Sequence, residues 1–286
     1  MDGVLVVDKP AGMTSHDVVA VLRRRLGEKK VGHAGTLDPD ATGVLVLGVG
    51  RATRLMRFIE MHEKEYEADV VFGVETSSQD ASGEVLAEQD SSALTREDVE
   101  KAAAAMVGEI EQIPPMVSAI KVGGERLYRK ARRGEEVERA PRPVTIHSLE
   151  VEDFTPGPRA SARMRVRCSR GTYVRTLAHD LGRALGVGGH VSELRRVSVG
   201  PFTEQGAIAP DAATEADLRP VIDAVTLYPR REVSAADATS IIQGKRLSAV
   251  GLESAYAVVH EGTLIAMAED RDGETRSICV VGGIGA

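Results

Sequence analysis

The segment Gly32-His33-Ala34-Gly35-Thr36-Leu37-Asp38-Pro39-Asp40-Ala41-Thr42-Gly43 governs how the rest of the chain is read. Its glycines permit left-handed or close-approach backbone. Pro39 restricts Asp38 to extended conformations. The apolar run Val44–Val49 follows at once and reads as a buried strand. The pattern thus presents a carboxylate on a stiff loop at the mouth of a strand. The loop lacks the Gly-Lys-Ser/Thr ending of a phosphate-binding loop, and no serine stands at a strand-to-helix elbow. Taken alone, such a loop reads as a turn at least as readily as a catalyst.

Working outward, Gly3–Val7 is a short apolar strand. Thr14 and Asp17 form a capping-box pattern ahead of Val18, Val21, Leu22 and Leu26 at helical spacing, and Gly27 stops the helix. Lys64–Phe72 alternates Tyr66, Ala68, Val70 and Phe72 with mostly charged residues, as a half-buried strand does. Asp80–Gly83 reads as a turn. Thr95 and Asp98 start a helix that Gly108 ends. Residues 114–143, rich in charge, Pro and Gly, read as a long insertion. Val144–Val151 and Ala162–Cys168 read as strands, and Thr172–Leu185 as a helix. Near Arg230 a small domain is expected: a short helix capped by Ser234 and Asp237, then a hairpin around Glu261-Gly262. Strands and helices alternate without βαβ regularity or repeat, so the expected class is α+β. Residues 1–229 form the main domain and residues 230–286 a β-rich appendage.

Composition bounds the function. The 286 residues, 42% hydrophobic, suffice for one large and one small domain. No apolar run reaches the ~20 residues that span a bilayer. The N-terminus lacks a signal-peptide pattern. Two distant cysteines, Cys168 and Cys279, make neither a disulfide framework nor a zinc site. A cytoplasmic protein is expected, with no membrane partner and no metal or cofactor motif. The net charge of −7 argues against an indiscriminate nucleic-acid binder. Yet no acid interrupts Arg159, Arg163, Arg165, Arg167, Arg170 and Arg175, and the insertion carries Lys121, Arg126, Arg129, Lys130, Arg132 and Arg133. These arginines read either as a phosphate-gripping face or as a solvated strand face.

Several blocks together resemble one family. Gly32–Gly43 resembles the catalytic-aspartate motif of the TruB family, the bacterial tRNA pseudouridine-55 synthases. Val7-Asp8-Lys9-Pro10-Ala11-Gly12-Met13-Thr14-Ser15 resembles its N-terminal motif, and Lys64-Glu65-Tyr66 its active-site tyrosine strand. Pro114-Pro115-Met116-Val117-Ser118-Ala119-Ile120-Lys121 resembles the start of its RNA-binding insertion, with Val117 where many relatives have tyrosine. Cys168–Leu177 resembles its arginine motif, and His190–Arg196 the segment lining its uracil pocket. The blocks run in family order from Val4 to about Phe202. The tail resembles a PUA-type domain more loosely.

The resemblance implies a pseudouridine-synthase fold with a mixed, largely antiparallel sheet. It implies isomerisation of a tRNA uridine in the T-loop, with no cofactor. Asp38 would be the nucleophile, Tyr66 would stack on the base and take the C5 proton, and Arg175 would pair with Asp38. Leu194 would wall the uracil and Tyr173 support it. His33 would fill the space left by the flipped base, and Lys9 and Pro10 would shape the pocket floor. Lys121, Arg132 and the arginines of the Ala162–Cys168 strand would hold RNA phosphates. The expected partner is the T-arm, with the acceptor stem touched by the tail, bound by a monomer. Direct attack at C1′ and a glycal route both remain open. Two other classes compete: a tRNA-folding factor indifferent to Asp38, and a nucleoside hydrolase, which needs a second, opposed carboxylate that Asp40 does not supply.

Overall fold

The computed structural model describes residues 1–118, 120–127, 130, 133–135 and 137–283. Contacts group residues 1–39, 43–62 and 199–286 into one compact unit, and residues 40–42 and 63–198 into another.

The first unit begins with β1 (Gly3–Lys9), α1 (Ser15–Leu26), β2 (Val31–Ala34) and β3 (Thr42–Val49). Thr14 and Asp17 close the expected capping box, and Gly27 ends α1 in the left-handed region, at φ 63°. β3 pairs antiparallel with β1 from Gly3↔Val49 to Lys9↔Gly43, and with β2 from Val31↔Val49 to Ala34↔Val46. β2 lies where the sequence pattern predicts a loop. Four residues that include Gly32 carry too little pattern to announce a strand. A 3₁₀ stretch over Gly50–Leu55 leads into α2 (Met56–Glu60).

The second unit carries β4 (Lys64–Phe72), β5 (Val74–Thr76), β6 (Val85–Glu88), α3 (Arg96–Ala104) and β7 (Gly108–Gln112). The insertion holds a short hairpin of β8 (Lys121–Val122) and β9 (Glu125–Arg126). Then come β10 (Arg142–Thr155), β11 (Ser161–Cys168), α4 (Val174–Ala184) and β12 (Gly189–Val199). Within this unit the strand order is β12-β4-β11-β10-β7. The predicted alternation of β4 holds throughout: Lys64, Tyr66, Ala68, Val70 and Phe72 are buried. α3 has the expected capping box of Thr95 and Asp98, but it ends at Ala104, and Gly108, at φ 114°, opens β7 instead. β12 also escaped the sequence reading, because Glu193, Arg195 and Arg196 interrupt its apolar pattern. Arg196 is nonetheless buried.

The chain returns to the first unit with β13 (Phe202–Thr203), β14 (Arg230–Glu232), α5 (Ala235–Ile242), β15 (Leu247–Ser248), β16 (Tyr256–His260), β17 (Thr263–Arg271) and β18 (Glu274–Val280). The last five strands form a sheet in the order β14-β16-β17-β18-β15. Ser234 caps α5 through Asp237 as expected. Glu261 and Gly262, both at positive φ, turn the β16–β17 hairpin. One face of this sheet packs on α5, with Ile241 against Tyr256, Val258 and Ile265. The other face shares an apolar core with the chain's beginning: Ala257, Val259, Leu264 and Met267 join Val4, Val6, Val44, Val46 and Ile59.

The described chain is therefore α+β, with largely antiparallel sheets. Among the described residues, no helix is long and apolar enough to cross a membrane.

Candidate active site

Asp38 stands between β2 and β3, half-exposed, and both its neighbours in sequence are tied to the N-terminal motif. On one side, the Leu37 N–H donates to Ser15 Oγ at 2.9 Å, and that hydroxyl donates to Leu37 O at 3.2 Å. On the other, Pro39 O accepts from the Gly12 N–H at 3.0 Å and from Lys9 Nζ at 2.9 Å. Lys9 Nζ also donates to Pro10 O at 2.9 Å and Met13 O at 2.7 Å. Its side chain is fully buried, at 0% exposure. A buried ammonium is tolerated only where donors meet acceptors, and here three carbonyl dipoles supply them. Lys9 thus acts as the internal clasp of the aspartate loop. His33, on β2, meets His16 of α1 edge-to-face, with ring centroids 5.4 Å apart at 77°.

In the second unit, Tyr66 lies buried on β4 opposite Val166 of β11. Arg175, in the first turn of α4, is only 4% exposed. Its Nη1 donates to Asp80 Oδ2 and to Ser78 O, both at 2.9 Å, and its Nη2 donates to Val117 O at 3.0 Å. Asp80 accepts further from Ser78 Oγ and Ser82 Oγ, each at 2.6 Å. Burial pushes its carboxyl up, but the Ser78 and Ser82 donors and the Arg175 charge outweigh burial and hold it below the usual range. Tyr173 precedes α4, and its backbone is gripped at both ends by the Gln112 amide. The Tyr173 N–H donates to Oε1 at 2.9 Å, and Nε2 donates to Tyr173 O at 3.2 Å. Leu194 is half-buried on β12, the strand next to β4.

The predicted residues therefore divide: Lys9, His33 and Asp38 belong to the first unit, and Tyr66, Tyr173, Arg175 and Leu194 to the second. Lys121 lies on β8, and Arg132 falls outside the described residues. Sequence reasoning missed Asp80, Gln112 and Ser15 as holders of site residues. Only Asp80 left a local signal, because Ser78-x-Asp80-x-Ser82 is the spacing of a side-chain-bonded turn.

One expectation needs correction. The arginines of Ala162–Cys168, expected to grip RNA phosphates, are paired with acids of the protein itself. Arg163 forks onto Asp69 at 2.9 and 3.0 Å. Arg165 reaches Glu65, Glu67 and Glu152 at 3.0, 2.6 and 2.7 Å. Arg167 reaches Glu63 at 2.6 Å. The antiparallel register places Arg163 opposite Asp69 and Arg165 opposite Glu67, so acids remote in sequence face the run across the sheet.

Among the described residues, no group of three or more His, Cys, Asp or Glu could hold a metal ion.

The α+β body has the pseudouridine-synthase fold, which solved structures share. A chain in the structure of an H/ACA ribonucleoprotein bound to a substrate RNA containing 2′-deoxyuridine superposes with a TM-score of 0.75. It is 24% identical, covering 99% of this chain and 86% of that one. A chain of a Cbf5–Nop10–Gar1 complex gives 0.73 at 26% identity, covering 97% and 83%. The chain belongs to the TruB family. Residues 23–174 match the TruB family pseudouridylate synthase N-terminal domain. Residues 175–223 match the tRNA pseudouridylate synthase B C-terminal domain, and residues 228–282 the tRNA pseudouridine synthase II C-terminal domain. The tRNA pseudouridine synthase B of Symbiobacterium thermophilum is 55% identical over 246 residues, 85% of this chain and 82% of that protein. That of Thermobifida fusca is 46% identical over 290 residues, 99% of each.

Proposed function

We propose that this chain converts uridine 55 in the T-loop of tRNA to pseudouridine, with Asp38 as the nucleophile. The observation that carries the reading is the double anchorage of Asp38, through Leu37 to Ser15 and through Pro39 to Lys9 and Gly12. A nucleophile that must meet a sugar carbon gains from being held in place beforehand. Family membership supplies the reaction.

The bond from C1′ to N1 breaks, the base turns, and C5 bonds to C1′ in its place. The C5 proton then leaves, in the end to water, N1 takes a proton from water, and every heavy atom of the product comes from the substrate. A carboxylate suits the positive charge that builds at the anomeric carbon. Arg175 pairs with Asp38 and keeps it ionised, and Tyr66 stacks on the base and takes the C5 proton. Leu194 walls the ring, Tyr173 supports the pocket, and Lys9 holds its floor through Pro39. His33 fills the space of the flipped base. Lys121 and Arg132 hold phosphates, and residues 230–286, as a PUA-type module, reach the acceptor stem. A monomer in the cytoplasm completes the reading.

The test is tritium release from C5-labelled uridine in a T-arm RNA, with the wild-type chain and Asp38→Asn side by side. Release by the wild type alone supports the reading. Release by both removes Asp38 from its role. Release by neither, with RNA still bound, favours a tRNA-folding factor.

A further inference from the structure

Helix α1 meets the segment 31–38 at three places. Arg23 Nη2 donates to Val31 O at 3.0 Å, where β2 begins. Ser15 exchanges hydrogen bonds with Leu37, beside the aspartate. Between these two anchors, the His16 ring stands edge-to-face against His33. Two consecutive side chains of one helical turn thus address the aspartate loop and the base-replacing histidine separately.

His16 does nothing evident for the helix itself. It is exposed, and it sits in the first turn, where the helix dipole disfavours a cationic ring. The capping work there is done by Thr14 and Asp17. An exposed imidazole in contact with a second one limits how that second ring turns, because aromatic pairs favour the edge-to-face arrangement. We propose that His16 is a positioning residue for His33, holding its ring in the orientation in which it takes the place of the flipped base. The inference rests on the role given to His33 above.

The experiment uses the full chain and a T-arm stem-loop with 2-aminopurine beside the target uridine, so that unstacking is read as fluorescence while pseudouridine is read as tritium release. His16→Ala, His16→Phe, His33→Ala and the His16→Ala/His33→Ala double variant are compared. His16→Ala lowers kcat/KM and the unstacking amplitude about two- to tenfold, the size of one aromatic contact. Its thermal midpoint stays at the wild-type value, because the side chain is exposed. His16→Phe restores most of the loss. In the His33→Ala background, His16→Ala has no further effect. Wild-type behaviour of His16→Ala, or an equal loss with and without His33, overturns the proposal while leaving the assigned reaction standing. Absence of tritium release from the wild type overturns the assigned reaction, and this inference with it.

Discussion

Around Lys9 the acceptors are backbone carbonyls, those of Pro10, Met13 and Pro39, and water is excluded. Around Arg165 they are the carboxylates of Glu65, Glu67 and Glu152, on a face that solvent reaches. Each cation gathers several acceptors, yet the consequences differ. Lys9 joins stretches of main chain 30 residues apart and so sets where Asp38 stands. Its loss removes charge-assisted hydrogen bonds to Pro10, Met13 and Pro39 that tie the loop to the N-terminal motif, although the Gly12 N–H still holds Pro39 O. Arg165 joins side chains whose backbone is already paired in a sheet, and water replaces any partner it loses. The number of partners therefore says little about a charge's importance; what the partners are attached to, and whether water can stand in, says more.

Four experiments can break or sharpen this contrast. The largest effect falls on the residue the clasp holds: Asp38→Asn is expected to reduce tritium release by on the order of 10⁴-fold, with RNA affinity within a few-fold of wild type. Next comes the clasp. Lys9→Met keeps the stem and removes the donor, and urea unfolding should show a loss of about 1.5–3 kcal/mol, the range for hydrogen bonds made by a charged group. Stability within 1 kcal/mol of wild type would reduce Lys9 to an ordinary side chain.

The third experiment reverses the sign of the charge. In the tail, Asp270 gathers the Tyr256 hydroxyl at 2.7 Å and the backbone N–H groups of Val250, Gly251 and Leu252. Burial pushes this carboxyl up, but those donors outweigh it and hold it down to about 2. An unfolded aspartate titrates near 3.9. Because the folded value is the lower, the stabilisation is present above about pH 4 and is lost as pH falls through about 2. The protection of amides 249–252, relative to their intrinsic exchange at each pH, should fall as pH drops across that window in the wild type, and Asp270→Asn should lack it already at neutral pH. Protection independent of pH in the wild type would contradict the assignment.

The smallest effect belongs to the lattice. Replacing Arg163, Arg165 and Arg167 by Ala should each cost about 1 kcal/mol or less. It should also leave the salt dependence of T-arm RNA binding nearly unchanged, because these charges are committed to Asp69, Glu67 and Glu63. A slope lowered by about one unit per arginine would restore them as phosphate contacts.

What was legible in the sequence was what neighbours in sequence decide. Thr14 with Asp17, Thr95 with Asp98, and Ser234 with Asp237 announced helices because a cap closes within three residues. The alternation of Lys64–Phe72 announced its buried face, and Glu261-Gly262 its hairpin. Asp38 stood out through Pro39 and the flanking glycines. The supports of the site were not legible, because each is a meeting of distant residues. Gln112 meets Tyr173 across 61 positions, and Arg175 meets Asp80 across 95. The arginine run misled for the same reason, since its acids lie on other strands. β2 and β12 stayed hidden because glycines and a buried Arg196 break the pattern that pairing restores.

The shared core of the tail sheet and the first strands has a consequence for how the chain emerges from the ribosome. Val4 pairs with Arg219 and Val7 with Ile208, and the core around Val4 and Val6 is finished by Ala257, Leu264 and Met267. The opening strand can pair with β3 early, but its other edge and its core wait for partners translated more than two hundred positions later. Residues 63–198 form a nearly uninterrupted unit and can settle while the rest is being made. The earliest-made part of the protein is thus among the last to be completed, and a chain stalled before its tail carries its aspartate loop on an unfinished foundation.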